Sequence, residues 1–163
     1  MKKEVKEFKN SICPRPNLIV SCCDKEGEDN ALAVAYACNC SYDPPMIMVG
    51  IVPSRYSYHM VKESNEFVVN LTTKELKEEF DYLGSHSGRD ENKLEELDLN
   101  YKQGNKVKAP ILEDFPVNIE CEVVDSIKTG SHEMFVAKVK YIHADQEIVN
   151  DDGGIDFASL DLL

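Results

Sequence analysis

The chain has 163 residues, enough for one domain with a buried core, and its 42% hydrophobic and 29% charged residues are typical of a soluble globular protein. Its net charge of −12 argues against nucleic acid as a partner, because that binding needs clustered lysine and arginine, and against attachment to anionic membranes. Among residues 2–10 only Val5 and Phe8 are apolar, so the apolar core of a signal peptide is missing and we expect a cytoplasmic protein.

The first half of the chain predicts short strands separated by turn-forming residues. Pro14 and Pro16 favour an extended backbone ahead of the first strand. An acidic turn that contains Gly27 leads into the second strand. The residues Asp43-Pro44-Pro45 separate the second strand from the third strand. These strands are predicted at residues 17–23, from about Ala31 onward, and at residues 46–52.

The second half mixes helices and strands, which we predict from apolar residues at helical spacing and from alternating ones, respectively. Asp90 is in position to cap a third helix that carries Leu94 and Leu97. Helices are predicted at residues 57–64 and 73–83, and strands at residues 66–71, 117–127 and 132–143. Since strands predominate and are joined as hairpins, the pattern suggests a closed or partly closed antiparallel barrel.

Six cysteines raise the question of a disulfide or metal site: Cys13, Cys22, Cys23, Cys38, Cys40 and Cys121. A cytoplasmic compartment is reducing and disfavours structural disulfides. Neither the Cys22-Cys23 pair nor Cys38-Asn39-Cys40 has the spacing of zinc ligands, so we expect most of them to be small buried residues. A metal or thiol-redox protein that uses Cys38 and Cys40 with Cys22 or Cys23 is the alternative.

Residues 31–37, with the sequence ALAVAYA, place alanine at every second position. In a strand these alanines share one face, which is then small enough for a flat molecule to approach the backbone. A flavin ring would suit such a face. Taken alone, however, the pattern fits better with close packing against a helix or a second sheet.

The segment Pro53-Ser54-Arg55-Tyr56-Ser57 lies between a predicted strand and a predicted helix. A helix N-terminus has unpaired N–H groups and the positive end of the helix dipole, both of which favour phosphate. Arg55 adds a fork of donors, and Ser54 and Ser57 add hydroxyl groups. The alternative is an ordinary helix start with a surface arginine.

A second loop, residues 84–90, combines glycines, small hydroxyl residues and Arg89, and Lys93 follows it. Such a loop could close around a phosphate or a flavin edge. It fits equally well with a flexible surface loop.

Taken together, these segments resemble the flavin reductase-like, FMN-binding split-barrel family in order and spacing, over roughly residues 14–149. The combination of Asp43-Pro44-Pro45 with Ser54-Arg55-Tyr56 is the most specific part of the resemblance. The other landmarks are Pro16, Asn30, Ser41, residues 66–70, residues 87–90 with Lys93, Ala109-Pro110 and residues 116–122.

The resemblance implies a mainly β fold: a six-stranded antiparallel Greek-key split barrel with short flanking helices. Residues 1–163 would form one domain, with residues 1–12 as an N-terminal extension, and two copies would form a homodimer with FMN near the interface. Ser54, Arg55 and Ser57 would bind the phosphate, and Tyr56 in the same segment would also contact the cofactor. The flavin ring would be lined by Asn30, Tyr36, Ala37, Cys38, Asn39 and Cys40, and the pocket completed by Ser87, Gly88, Arg89 and Lys93.

The resemblance also implies an FMN-dependent oxidoreductase, in which NAD(P)H reduces the flavin and the flavin passes electrons to a free flavin, a protein or a small acceptor. The cofactor carries out such chemistry, so no catalytic side chain is predicted. The alternative is an electron-transfer flavoprotein of the flavoredoxin type, reduced by a partner protein that docks on the acidic surface. The chain departs from many relatives at Ser57-Tyr58, where they have Thr-His.

Overall fold

A computed structural model describes residues 1–163, in which strands predominate. The strands are β1 (Leu18–Cys23), β2 (Asp29–Val34), β3 (Ala37–Tyr42), β4 (Pro45–Ile51), β5 (Glu66–Leu71), β6 (Tyr101–Gln103), β7 (Pro110–Leu112), β8 (Val117–Lys128) and β9 (Glu133–Ala144). The helices are α1 (Tyr56–Ser64), α2 (Lys77–Ser85) and α3 (Lys93–Glu96). None of them combines the length and the apolar composition needed to cross a membrane.

Seven strands form one sheet in the order β2-β1-β5-β8-β9-β4-β3, and every neighbouring pair is antiparallel. The two edge strands, β2 and β3, are separated along the chain by only Ala35 and Tyr36. The two edges of the sheet must therefore lie close together, so the sheet curls into a barrel. The predicted mainly β barrel is confirmed.

The prediction of one strand through residues 31–37 is wrong, because β2 ends at Val34 and β3 begins at Ala37. The chain changes its pairing partner at this point, from β1 to β4, and a single straight strand cannot pair with both. This interruption gives the sheet seven strands instead of the six that the resemblance implies. Ala31 packs with Leu83 of α2, as the helix-packing alternative requires.

The helices differ from prediction at their starts. The helix expected at residues 73–83 begins with a 3₁₀ turn at Lys74–Leu76, and α2 follows it. Asn92, not Asp90, caps α3, since its side chain accepts a hydrogen bond from the Glu95 N–H. The short strands β6 and β7 were not predicted, because three residues are too few to show an alternating pattern.

The core has two main parts. Inside the barrel, buried side chains from β1, β4, β5 and β9 pack around Phe67 and Phe135. Outside it, Ile19 and Ala31 pack against Leu83 and Leu94 of the two later helices. This second cluster fixes α2 and α3 on the outer face of β1 and β2, next to the start of α1.

Glu133, a buried carboxylate on β9, holds α1 in place. It accepts hydrogen bonds from the Tyr58 hydroxyl (2.5 Å), the Lys62 ammonium (2.5 Å) and the Ser126 hydroxyl (2.6 Å). The hydrogen bonds from Lys62, Ser126 and Tyr58 lower the pKa of Glu133 from its ordinary value of 4.5 to about 2. Because Tyr58 and Lys62 belong to α1, this carboxylate fixes the position of the helix whose N-terminus lies at the candidate site.

We predict that Glu133→Gln lowers the free energy of unfolding by about 1–3 kcal/mol at neutral pH, the usual cost of losing buried hydrogen bonds to a charged group. The pKa of Glu133 is lower in the folded state than in the unfolded state, so its contribution is complete above about pH 4.5 and is lost as the pH falls toward about 2. Urea unfolding at several pH values measures both effects. Glu122→Gln, at a carboxylate half exposed on β8, is the matched control and should change little; an equal loss in both variants would contradict the role of Glu133.

Candidate functional site

A polar cavity of about 260 Å³ lies between the start of α1, the end of α2 and the loop that leads to α3, with β2 as its wall. We call it the polar cavity. It is lined by Asn30, Leu32, Ala33, Ser54, Arg55, Tyr56, Ser57, Leu83, Gly84, His86, Ser87, Gly88, Arg89 and Lys93. Two of the segments singled out in the sequence, residues 53–57 and 84–90, therefore meet in one place.

The N-terminus of α1 opens into the polar cavity without a capping side chain. Arg55 occupies the N-cap position with an extended backbone, and no acidic residue lies in the first turn of the helix. The Ser57 hydroxyl accepts a hydrogen bond of 2.7 Å from the Asn30 side-chain amide, and both residues are buried. This bond fixes the helix start against β2, while the first N–H groups of the helix stay available to an anion.

Lys93 brings a buried positive charge to the same cavity. Its side chain is only 2% exposed, and its ammonium donates to the Leu83 carbonyl (2.9 Å) and the His86 carbonyl (3.2 Å). An ammonium has three N–H groups, so one is left after these two bonds. Burial lowers the pKa of Lys93 to about 8, which leaves it mostly charged at neutral pH.

Arginines complete a local excess of positive charge. Arg55, Arg89 and Lys93 line the polar cavity, and no acidic residue does, although the whole chain carries a net charge of −12. The Arg89 guanidinium lies 5.6 Å from the centre of the Tyr56 ring, a cation–π distance that holds it beside the helix start. The cavity is thus suited to an anion with several acceptor oxygens, such as a phosphate.

Gly88 allows the loop at residues 84–90 to lie against the helix start. A Cβ atom at this position would meet Tyr56 Cδ1 at 2.6 Å and Asn30 Oδ1 at 2.8 Å, which is closer than van der Waals contact permits. On the loop, the His86 ring stacks on Tyr82 with ring centres 3.8 Å apart. The loop is therefore packed into the wall of the polar cavity.

A second depression of about 340 Å³ continues the polar cavity along the barrel, and we call it the apolar groove. The two share Leu32, Ala33 and Arg55, and the remainder of the groove is lined by Arg15, Val34, Ala35, Tyr36, Gly50, Ile51, Val52 and His132. Seven of its eleven lining residues are hydrophobic, and the Tyr36 and His132 rings line it with centres 4.7 Å apart. A planar ring attached to a phosphate would extend from the cavity into this groove.

The structure brings most of the predicted site residues together, but not all of them. The polar cavity contains Asn30, Ser54, Arg55, Tyr56, Ser57, Ser87, Gly88, Arg89 and Lys93. Tyr36 lies at the edge of the apolar groove, whereas Ala37, Cys38, Asn39 and Cys40 belong to β3 and line neither depression. Asn30, expected beside the ring, lies at the helix start; the ring contacts of β3 stay a prediction.

Sequence reasoning missed Arg15 and His132, which lie far from the other site residues along the chain. No spacing or motif could have joined them to the site, since only the closed barrel places them there. Ala33, by contrast, belongs to the small-residue face noted in the sequence, and it lines both depressions.

The four cysteines of the metal alternative do not come together. Cys22 and Cys23 are buried, whereas Cys38 and Cys40 are exposed on the opposite edge strand of the sheet. No group of three or more histidine, cysteine, aspartate or glutamate side chains is close enough to hold a metal ion.

Comparison with known proteins assigns the family. The model of the family described as "Flavin reductase like domain" matches residues 10–157. The chain belongs to this family. An uncharacterized protein of Archaeoglobus fulgidus is 35% identical over 147 residues, which cover 89% of this chain and 81% of the relative.

Solved structures of two flavoredoxins share the fold. Flavoredoxin of Desulfovibrio vulgaris (Miyazaki F) has a TM-score of 0.89 and 28% identity, and the alignment covers 97% of this chain and 84% of that one. Flavoredoxin from Methanosarcina acetivorans has a TM-score of 0.87 and 24% identity, with 99% and 86% covered. The resemblance inferred from the sequence is confirmed, and the family supports a flavin cofactor and a flavin-related redox function.

We predict that Arg55→Ala weakens the binding of FMN by about 10- to 100-fold, the loss expected for one charge-assisted hydrogen bond. Riboflavin, which has the same ring without the phosphate, should lose much less. Titration of both flavins against each variant measures the difference, and Lys106→Ala, an exposed cation that lies outside the polar cavity, is the control. An equal loss for FMN and riboflavin would refute contact between Arg55 and the phosphate.

We also predict that FMN affinity falls as the pH rises above about 8, because the Lys93 ammonium then loses its proton. Because only one proton is lost, the affinity can fall by at most about tenfold per pH unit. The phosphate is already a dianion above about pH 6, so its own ionisation does not contribute to the change. Titrations between pH 6.5 and 9.5 measure this dependence. The Lys93→Met variant should bind FMN weakly at every pH, without this fall; an unchanged pH dependence in that variant would assign the fall to another group.

Proposed function

We propose that the protein binds FMN in the polar cavity and the apolar groove and acts as an NAD(P)H-dependent flavin oxidoreductase. The observation that carries the proposal is the uncapped start of α1, which faces Lys93 in a cavity lined by three cations and no carboxylate. That arrangement fits the phosphate of FMN. The adjoining groove is lined mostly by hydrophobic residues, which suits the ring of the same molecule.

The residues of the site fit this cofactor in two further respects. The N–H groups at the start of α1, the third N–H of Lys93 and the guanidinium groups of Arg55 and Arg89 would hold the phosphate. Small side chains at Ala33 and Ala35 would let the ring approach the backbone of the barrel. Bound FMN would supply the redox chemistry by taking up and releasing electrons.

Arg15, Tyr36 and His132 border the side of the apolar groove from which an electron donor would approach. Asn10 orients two of them, since its side-chain oxygen accepts hydrogen bonds from Arg15 Nη1 (2.7 Å) and the Tyr36 hydroxyl (3.0 Å). The positive charge of Arg15 is suited to a phosphate of a nicotinamide dinucleotide. These residues position the donor and exclude water from the ring, and none of them has to transfer a proton.

We further propose that two copies form a homodimer, as the family resemblance implies. Tyr42 at the end of β3 is 96% exposed and Phe157 is 54% exposed, so both aromatic side chains are available to a second copy. Sedimentation of the purified protein tests the assembly.

A second candidate function is electron transfer between FMN and a partner protein, without a nicotinamide site. The likeness to the Desulfovibrio vulgaris flavoredoxin and the net charge of −12 favour it, because an acidic surface would dock a basic redox partner. In that case the partner, not NAD(P)H, would approach the groove.

The test is anaerobic reduction of the purified protein after it has been loaded with FMN. We expect NADH or NADPH to remove the blue-light absorption of the bound flavin faster than that of free FMN at the same concentration. If FMN binds but neither nucleotide reduces it faster than free FMN, the oxidoreductase proposal fails and the electron-transfer candidate stands. If the protein binds no FMN, both fail.

A further inference from the structure

Three of the six cysteines are exposed, and two of these, Cys38 and Cys40, lie on the same strand. The other three, Cys22, Cys23 and Cys121, are buried, and burial raises the pKa of each thiol to about 12. Buried thiols of this kind are unreactive. Reactive thiol chemistry in this chain is therefore confined to the exposed cysteines, of which only Cys38 and Cys40 form a pair.

The backbone around this pair is irregular. Asn39 pairs with Ile47 and Ser41 pairs with Met46, so the ladder between β3 and β4 skips Cys40, which forms a β-bulge. Since β3 is the edge strand of the sheet, Cys40 has no neighbouring strand on its other side either. Cys40 therefore has no register partner in a neighbouring strand on either side.

The spacing of the two cysteines is compatible with a disulfide. Two residues further along an extended chain lie at most about 7 Å away, and a bulge shortens this distance. Disulfides join Cα atoms that are about 4.4–6.8 Å apart. Burial and, to a smaller extent, the neighbouring Cys38 raise the pKa of the Cys40 thiol.

Cys38 also lies next to the proposed flavin ring site. A third depression, which we call the Cys38 trough, shares Arg15, Ala35 and Tyr36 with the apolar groove and has Cys38 in its wall. The polar cavity, the apolar groove and the Cys38 trough thus follow one another along the surface in that order. A ring seated in the groove would have Cys38 in the wall of the adjoining depression.

We propose that Cys38 and Cys40 form a reversible disulfide that exchanges two electrons with FMN bound in the apolar groove. This inference rests on the proposed FMN site. Reduced FMN gives up two electrons and two protons, the bond between Cys38 Sγ and Cys40 Sγ breaks, and each sulfur becomes a thiol while the flavin becomes oxidised. The reverse reaction restores the disulfide, and transient redox disulfides of this kind occur in reducing compartments.

The test measures how many electrons the intact protein, loaded with FMN, takes up during reduction. The protein is oxidised with diamide, freed of the reagent, and titrated anaerobically with dithionite. We expect it to take up twice as many electrons per bound FMN as free FMN does, because the disulfide accepts a second pair. Mass spectrometry after alkylation should find Cys38 and Cys40 blocked before the titration and labelled after it.

Two types of variant make the result specific. Cys38→Ser and Cys40→Ser should each halve the electron uptake per bound FMN, whereas Cys13→Ser, at the third exposed thiol, should leave it at the wild-type value. Uptake by the wild type equal to that of free FMN, or a disulfide that forms but persists after the flavin is reduced, would overturn the exchange. Failure of the wild type to bind FMN is a separate result, which would overturn the proposed function together with this inference.

Discussion

The structure depends on the closure of one seven-stranded sheet through a link of two residues. Val34 ends β2 on one edge of the sheet and Ala37 begins β3 on the other edge, with Ala35 and Tyr36 between them. A chain of this length spans at most about 11 Å, so the two edges have to meet. This closure places the end of β2, the end of β4 and the start of α1 side by side, and the polar cavity and the apolar groove lie there.

The second determinant of the site is electrostatic. An acidic chain would repel a phosphate at long range, but charges beyond about 8–10 Å are screened at physiological salt. Within that distance the polar cavity presents Arg55, Arg89 and Lys93 together with the unpaired N–H groups of α1. Glu133, the carboxylate that fixes α1, is buried outside the lining of the polar cavity and forms an ion pair with Lys62. The local field therefore favours an anion, although the net charge does not.

Much of this arrangement could be predicted from the sequence, because its signals are local. Neighbouring residues determine the alternating pattern of the strands, the break at Asp43-Pro44-Pro45 and the helix after Pro53. The order in which these segments follow one another is the order found in the family. The features that were missed depend on distant residues. The end of β2 at Val34 follows from the change of strand partner, and Arg15 and His132 reach the groove only through the closed barrel. A short-range pattern contains no information about such contacts.

We propose above all that the phosphate of FMN lies at the start of α1 while the ring extends into the apolar groove. A crystal structure of the protein with FMN tests it most directly. We expect phosphate oxygens within hydrogen-bond distance of the α1 N–H groups and of Lys93 Nζ, with the ring on Ala33 and Ala35. FMN bound elsewhere, or in the reverse orientation with its ring at Lys93, would contradict it.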